Sequence, residues 1–329
     1  MLSKGAIPIL YNEVAKDAAK DEIDVLYEVK AVSTALEQLG FTVSEHPFPG
    51  NPKDTLEILK ETKPLLIFNL VESVAGSGKL SYLAPSILEA LNMKYTGNSA
   101  EAIFLTTDKI VTKKLLKSRG IPTPQWITAR GENEFTKDDR YIIKPVYEDG
   151  SIDIYQNSIV TIESIHQIRE LLNVMKEKTD KEFFAEKYID GREINVSILG
   201  ENGKPLILPP TEIKFIGYKK KNIDEIFGYR SKWEEDSFES KNVVSSGVFE
   251  DRDETLLKYL EEISEKCWYE FGLKGYARVD FRIDKAGMPW VLEINANPCI
   301  TPGESSFLRS AAQGGLDYID VVKRIISEV

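Results

Sequence analysis

Two short segments near the C-terminus hold the residues best suited to chemistry, Arg278-Val-Asp280-Phe281 and Glu293-Ile-Asn295-Ala-Asn297-Pro298. Side chains alternate between the faces of an extended strand, so Arg278 and Asp280 share one face, and Glu293 and Asn295 share another. If the two segments pair as a hairpin, two carboxylates, an amide oxygen and a guanidinium converge on one patch. Hard oxygen donors of this kind suit Mg²⁺ held jointly with nucleotide phosphates. Arg278 is then placed to steady negative charge on a transferring phosphoryl group or a tetrahedral intermediate. The plain alternative is a salt-bridged surface hairpin, and against it Leu292 and Ile294 read as core-facing.

Lysines form a second element. Lys144 ends the apolar run Tyr141-Ile-Ile and precedes Pro145, whose ring stiffens the backbone. A lysine at such a strand end can meet phosphate as a point charge, and Lys109 is a second candidate. Taken singly, each reads first as an ordinary surface lysine and only second as a phosphate ligand. The turn Glu148-Asp-Gly150-Ser151 can lay backbone amides over phosphates through glycine's conformational freedom. Gly76-Ser-Gly-Lys79 fails as a P-loop: Ser73 stands where the first glycine belongs, and Leu80 replaces the Ser or Thr. It reads as a flexible loop, and Lys219-Lys-Lys221 as a solvated one.

Composition narrows the chemistry. The chain of 329 residues has two histidines, His46 and His166, and two cysteines, Cys267 and Cys299, too far apart for a zinc knuckle or a redox pair. Catalysis must therefore rest on carboxylates, lysines, arginines and backbone amides. A net charge of −11 argues against nucleic acid as the main partner. No apolar run approaches the ~20 residues that span a bilayer, and residues 1–11 lack the pattern of a signal peptide. No membrane association and a cytoplasmic location are the expectation.

The positioning elements follow from periodicity. Residues 7–11, 41–45 and 65–71 read as strands, the last as a buried parallel one. Residues 22–39, with Val25, Val29, Val32 and Leu36 on one face, and 82–91 read as helices. This alternation predicts a small doubly wound domain over 1–97. Residues 98–190 form a second, α+β unit: a helix over 107–119, strands at 125–129, 141–144, 158–160 and 183–188, and a helix over 162–178. Residues 191–329 form a third, with a strand at 193–199, a long polar loop over 217–241, a helix over 254–271, strands at 275–283 and 289–295, and a final helix near 318–326.

In order along the chain, Phe68-Asn-Leu-Val-Glu72, Tyr95-Thr-Gly97, Thr107-Asp-Lys109-Ile-Val-Thr-Lys113, Gly120-Ile-Pro-Thr-Pro124, Ile142-Ile-Lys-Pro145, Glu186-Lys-Tyr-Ile189 with Gly191-Arg-Glu193, and Arg278-Val-Asp-Phe281 with Leu292-Glu-Ile-Asn295 together resemble the ATP-grasp superfamily, more narrowly the D-alanine–D-alanine ligase family. The resemblance implies the α/β and α+β architecture of the ATP-grasp fold, with two α+β lobes clamping ATP. It implies that Lys109, Lys144 and Ser151 meet phosphates, and that Glu186, Lys187 and Ile189 line the adenine with Glu193 on the ribose. Lys232, in the mobile-loop segment Tyr229-Arg-Ser-Lys232-Trp233, reaches a phosphate. On the same resemblance Asp280, Glu293 and Asn295 would hold Mg²⁺, or Mn²⁺ in its place. Arg278 stabilises the transition state, and Glu22 is the best match for the glutamate that binds the first substrate's ammonium. Dimerisation is an expectation carried over from the family.

The implied reaction joins a carboxylate to an amine through an acyl phosphate, by positioning and electrostatics. The departures cluster where the family reads its amino acids. The N-terminal Gly-Gly is absent, and Leu70-Val-Glu72-Ser-Val-Ala-Gly76 replaces the His-Gly segment. Asp149-Gly-Ser151-Ile replaces Gly-Ser-Ser, Trp233 replaces a tyrosine, and Pro298-Cys-Ile-Thr-Pro-Gly-Glu304-Ser-Ser306 replaces the acceptor-binding stretch. Two alternatives stand beside alanine ligation: a divergent ligase for another amino acid or a peptide, and a non-catalytic ATP-binding module.

Overall fold

The computed structural model describes residues 4–131, 135–303 and 305–329. It begins with β1 (Ala6–Asn12), α1 (Lys20–Gln38), β2 (Thr42–Phe48), α2 (Lys53–Thr62), β3 (Phe68–Leu70) and α3 (Leu83–Ala90). The strands pair in parallel in the order β2-β1-β3, as the alternating pattern requires. Val25, Val29, Val32 and Leu36 are buried on one side of α1 in a core shared with Ile7, Ile9 and Phe68. The apolar run over 65–71 gives only three residues to the strand ladder, with Ile67 bridged to Tyr95 beyond it.

The helix expected over 107–119 is α5 (Lys109–Ser118), and a further helix that the sequence reading did not give, α4 (Ala100–Thr107), runs directly into it. The break falls at Asp108, whose backbone is extended and whose Oδ1 accepts the N–H groups of Ile110 and Val111 as an N-cap. Next come β4 (Trp126–Thr128), β5 (Arg140–Pro145), β6 (Ile159–Thr161), α6 (Ile165–Thr179) and β7 (Phe183–Lys187). Their sheet is antiparallel in the order β4-β7-β5-β6.

The last third contributes β8 (Gly191–Glu201), β9 (Lys204–Ile207), β10 (Thr211–Phe215), α7 (Tyr229–Trp233), α8 (Phe238–Lys241), β11 (Val243–Ser246), α9 (Glu254–Glu270), β12 (Tyr276–Asp284), β13 (Pro289–Asn295), α10 (Ser306–Gln313) and α11 (Tyr318–Ser327). The sheet runs β11-β10-β8-β12-β13, with β9 on β8. Strands β9 to β11 are four or five residues long, too short for alternation to declare them. The polar stretch over 217–241 is not a plain loop. It carries α7 and α8 because Tyr218, fully buried, packs against both Phe215 and Phe238. Lys219, Lys220 and Lys221 are exposed in a single 3₁₀ turn beside it.

Two cores tie the thirds together. Ala102 and Leu116 from α4 and α5 join Leu260, Trp268, Phe281 and Val291 behind the last sheet. Ile9 and Val29 from the first sheet join Tyr276, Phe307 and Val322. Asn98 stitches the joint: its Nδ2 donates to the carbonyls of Tyr276 (2.8 Å) and Ala296 (2.6 Å), and its Oδ1 accepts Lys274 N–H at 2.7 Å. Among the described residues no helix is long and apolar enough to cross a membrane.

Gly275 approaches Gly97 at this joint, at φ +71°, where an added Cβ would meet the Gly97 Cα at 3.0 Å and its N at 3.2 Å. Both obstacles are backbone, and the left-handed conformation is itself unfavourable for alanine. Gly275→Ala is expected to cost about 1–3 kcal/mol, read as a lowered urea midpoint; an unchanged midpoint would show that the joint yields freely.

Candidate active site

β12 and β13 pair antiparallel with Arg278 opposite Asn295 and Asp280 opposite Glu293. The register slips between Asp280 and Phe281, so Val291, not Leu292, faces Phe281. Val291 and Ile294 are therefore buried while Leu292 is only half-buried, which corrects the alternation expected for this strand. Arg278 grips Asp280 with two bonds, Nε to Oδ1 at 2.7 Å and Nη2 to Oδ2 at 2.8 Å. Asn195 of β8 donates to Asp280 Oδ1 at 2.5 Å. Arg278 Nη1 also lies 3.5 Å from Ser306 Oγ at the start of α10.

Charge is concentrated around this pair. Burial raises the Asp280 carboxyl, and Arg278 only partly offsets it. Burial also works to raise Glu293, but the charges of Lys109, Lys144, Lys232 and Arg278 overcome it and hold Glu293 at about 2. Lys109, at the N-terminus of α5, reaches Glu148 O at 2.7 Å and Asp149 Oδ1 at 2.9 Å, with Glu293 Oε2 at 3.6 Å.

Behind the hairpin lies a buried triad. Glu186 on β7 is 1% exposed and receives Lys144 Nζ at 2.5 Å on one oxygen and the fully buried Lys113 on the other. Desolvation opposes ionisation of Glu186, yet the two lysines hold its carboxyl below the ordinary value. Lys113 was part of a recognisable segment but carried no assigned role; its position one turn beyond Lys109 on α5 is the signal that put both on one face. Glu193 on β8 meets Arg282 at 3.4 Å.

The 217–241 segment closes one side. Trp233 Nε1 donates to Gly150 O at 3.0 Å, Ser151 Oγ donates to Phe227 O at 2.6 Å, and Tyr229 OH lies 3.1 Å from Asp21 Oδ1 on α1. The cation of Lys232 lies 5.0 Å from the Phe227 ring centroid, and burial together with Arg278 lowers its pKa. The Gly76–Lys79 turn is ordered and tight: an added Cβ at Gly78 would sit 2.5 Å from Tyr147 O.

These elements bound a cleft of about 1200 Å³. Glu22, Ser151, Glu193, Lys232, Arg278, Asp280, Glu293 and Asn295 line it; Lys109, Lys144, Glu186, Lys187 and Ile189 stand outside its wall. Lys187 is turned to Asp139 at 2.7 Å. Glu22 uses Oε2 to accept Ala19 N–H at 3.0 Å, capping its own helix. Sequence reasoning missed Asp24 and Glu28, two and six residues beyond Glu22 on α1, which also line the cleft. Glu28 is buried, accepts Ile300 N–H at 2.6 Å, and is pushed to about 8 by burial and by Asp24. Glu304 lies outside the described residues.

A deep cleft beside two antiparallel sheets, with paired carboxylates on its wall and buried lysines just behind it, is the arrangement of an ATP-grasp enzyme. Residues 115–327 match the family described as D-ala D-ala ligase C-terminus. The D-alanine–D-alanine ligase of Aquifex aeolicus is 31% identical over 303 residues, 91% of this chain and 93% of its own. An uncharacterized protein of Sinorhizobium fredii is 29% identical over 281 residues, 83% of this chain and 78% of its own. The D-alanine–D-alanine ligase from Bacillus anthracis complexed with ATP shares the fold at TM-score 0.71 and 22% identity, over 98% of this chain and 97% of that one. The chain belongs to the D-alanine–D-alanine ligase family and is an ATP-dependent carboxylate–amine ligase.

Two outcomes follow from the buried charges. Glu186→Gln leaves two lysines facing each other without a counter-charge, and should cost about 3–5 kcal/mol of stability by chemical denaturation; a loss below about 1 kcal/mol would mean that the triad relaxes into water. Glu28 behaves oppositely with pH. Its folded pKa is raised, so the folded state holds the proton more tightly and stability falls as pH rises from the ordinary carboxyl value to about 8. Glu28→Gln should remove that slope, so that its Tm, relative to the parent protein, is higher at pH 9 than at pH 5; parallel Tm curves would contradict this.

Proposed function

We propose that the chain activates a small amino acid as an acyl phosphate and couples it to the amine of a second molecule. One observation carries this reading: the β12–β13 register that sets Arg278, Asp280, Glu293 and Asn295 side by side, with three lysine charges trained on Glu293.

In the first step a carboxylate oxygen of the acid attacks the γ-phosphorus of ATP, and the bond to the bridging oxygen breaks as ADP leaves. Lys109 and Lys144 exchange their carboxylate partners for phosphate oxygens, and Lys232 is carried to the phosphates by the segment that bears it. Glu186, Lys187 and Ile189 flank the adenine, Glu193 faces the ribose, and the Asp149-Gly150-Ser151 turn covers the phosphates. In the second step the amine, having lost a proton, attacks the acyl carbon. The tetrahedral oxyanion forms beside Arg278, and phosphate departs as the C–N bond is completed.

The donor set suits a divalent ion. Asp280 and Glu293 face each other across the hairpin and each disfavours the other's charge, a conflict that a shared cation relieves. Among the described residues no group of three or more His, Cys, Asp or Glu forms a ready-made metal centre, so phosphate oxygens must complete the coordination. Asp280, Glu293 and Asn295 would hold Mg²⁺, which supplies charge neutralisation on the phosphates when bound.

Asp280→Asn and Glu293→Gln should each reduce ATP-dependent ADP release by about 1,000-fold while Tm stays close to that of the parent protein. Turnover retained in either variant would remove the metal assignment.

A further inference from the structure

We propose that the α1 end of the cleft selects a substrate with two ammonium groups, a diamino acid, over an amino acid with one. This rests on the ligase reading, which supplies the carboxylate-activating part of the same cleft. Asp24 and Glu28 stand four residues apart on α1, on one face, and Glu72 enters from the segment after β3. All three line the cleft. Glu28 is 3% exposed and meets a backbone N–H, that of Ile300, rather than a cation.

Glu72 opens onto the cleft, and its carboxylate takes neither an ion pair nor a hydrogen bond among the described residues. Arg278 favours its charged form but is outweighed: desolvation within the cleft and the charges of Glu28, Asp149 and Asp24 push Glu72 well above the carboxylate range. Glu28 is raised by burial and by Asp24. Two carboxyls are thus assembled without a basic side chain to satisfy either. A single ammonium relieves one; a second is needed for the other.

Thr301 points to a ligand independently of charge. It lines the same cleft one residue beyond Ile300, is 6% exposed, and its Oγ1 has no nitrogen or oxygen partner among the described residues, only the Cys299 thiol beside it. An ammonium has three N–H donors, and two carboxylates leave room for a hydroxyl acceptor. At the other end Arg278 and Ser306 suit the acid's carboxylate. A diamino acid carries one ammonium on the carbon that bears its carboxylate and a second on its side chain, so its carboxylate can face Arg278 while both ammoniums face the carboxyls, whereas the methyl of alanine leaves one carboxyl facing a hydrocarbon.

The test is calorimetric binding to the full chain, loaded with Mg²⁺ and a non-hydrolysable ATP analogue. The probes are 2,3-diaminopropionate, ornithine, lysine and alanine, each as D and L forms. At least one diamino acid should bind at least about ten-fold more tightly than alanine, the worth of one charge-assisted hydrogen bond. Glu72→Gln should erase most of that preference without changing analogue affinity; it is preferred to Glu28→Gln because Glu72 is not part of a packed core. Alanine binding as tightly, no diamino acid binding, or a preference unchanged in Glu72→Gln would overturn the proposal. ADP release separates the two readings. Diamino acid binding with no ADP release from any acid–amine pair removes the ligase chemistry and leaves the subsite; release with alanine alone keeps the ligase and removes the subsite.

Discussion

The register of β13 on β12 is the constraint on which the site depends. A slip of one residue would turn Glu293 and Asn295 away from Arg278 and Asp280 and bury them among Val279 and Phe281. That alternative is blocked by burial on the opposite face, where Val279, Ile294 and Val291 already fill the core against α9. The bulge at Leu292 lets both requirements hold: polar residues face the cleft above it, and apolar ones face the core on either side. Asn98 then fixes the hairpin's end against the first sheet, so the carboxylates are set by backbone rather than by flexible side chains.

Around that hairpin the charges of Lys109 and Lys144 are paired, and under the proposed reaction these are the partners that phosphate would replace. Lys109 rests on Asp149 and the Glu148 carbonyl, and Lys144 shares Glu186 with Lys113. Because Lys113 is fully buried and remains with Glu186, departure of Lys144 toward a phosphate would not strand an unpaired carboxylate. The covering segment is held across the cleft as well: Trp233 and Phe227 meet the Gly150–Ser151 turn, Tyr229 N–H donates to Ile154 O, and Tyr229 OH meets Asp21.

The strong periodic elements were legible. Val25, Val29, Val32 and Leu36 declared α1, and the hairpin segments declared β12 and β13 with their facing residues. Legibility failed where the physical cause was not periodic. A short helix, α4, precedes the Asp108 cap where no helix was expected, a bulge moved the core position from Leu292 to Val291, and an aromatic cluster around Tyr218 gave structure to a polar stretch. In the site, the nucleotide roles proposed for Lys109, Lys144 and Glu193 came from the family resemblance. Lys113, Asp24 and Glu28 went unassigned because their significance lies in what they face across the fold, which spacing along one helix does not reveal.

The central claim is that a carboxylate is activated by direct phosphorylation. Its most direct test uses an acid that supports turnover, labelled with ¹⁸O in the carboxylate, followed by mass spectrometry of the inorganic phosphate. Attack on the γ-phosphorus, then expulsion of phosphate by the amine, carries one labelled oxygen from acid to phosphate at each turnover. The account predicts phosphate enriched in ¹⁸O in step with product; unlabelled phosphate alongside product formation would contradict it.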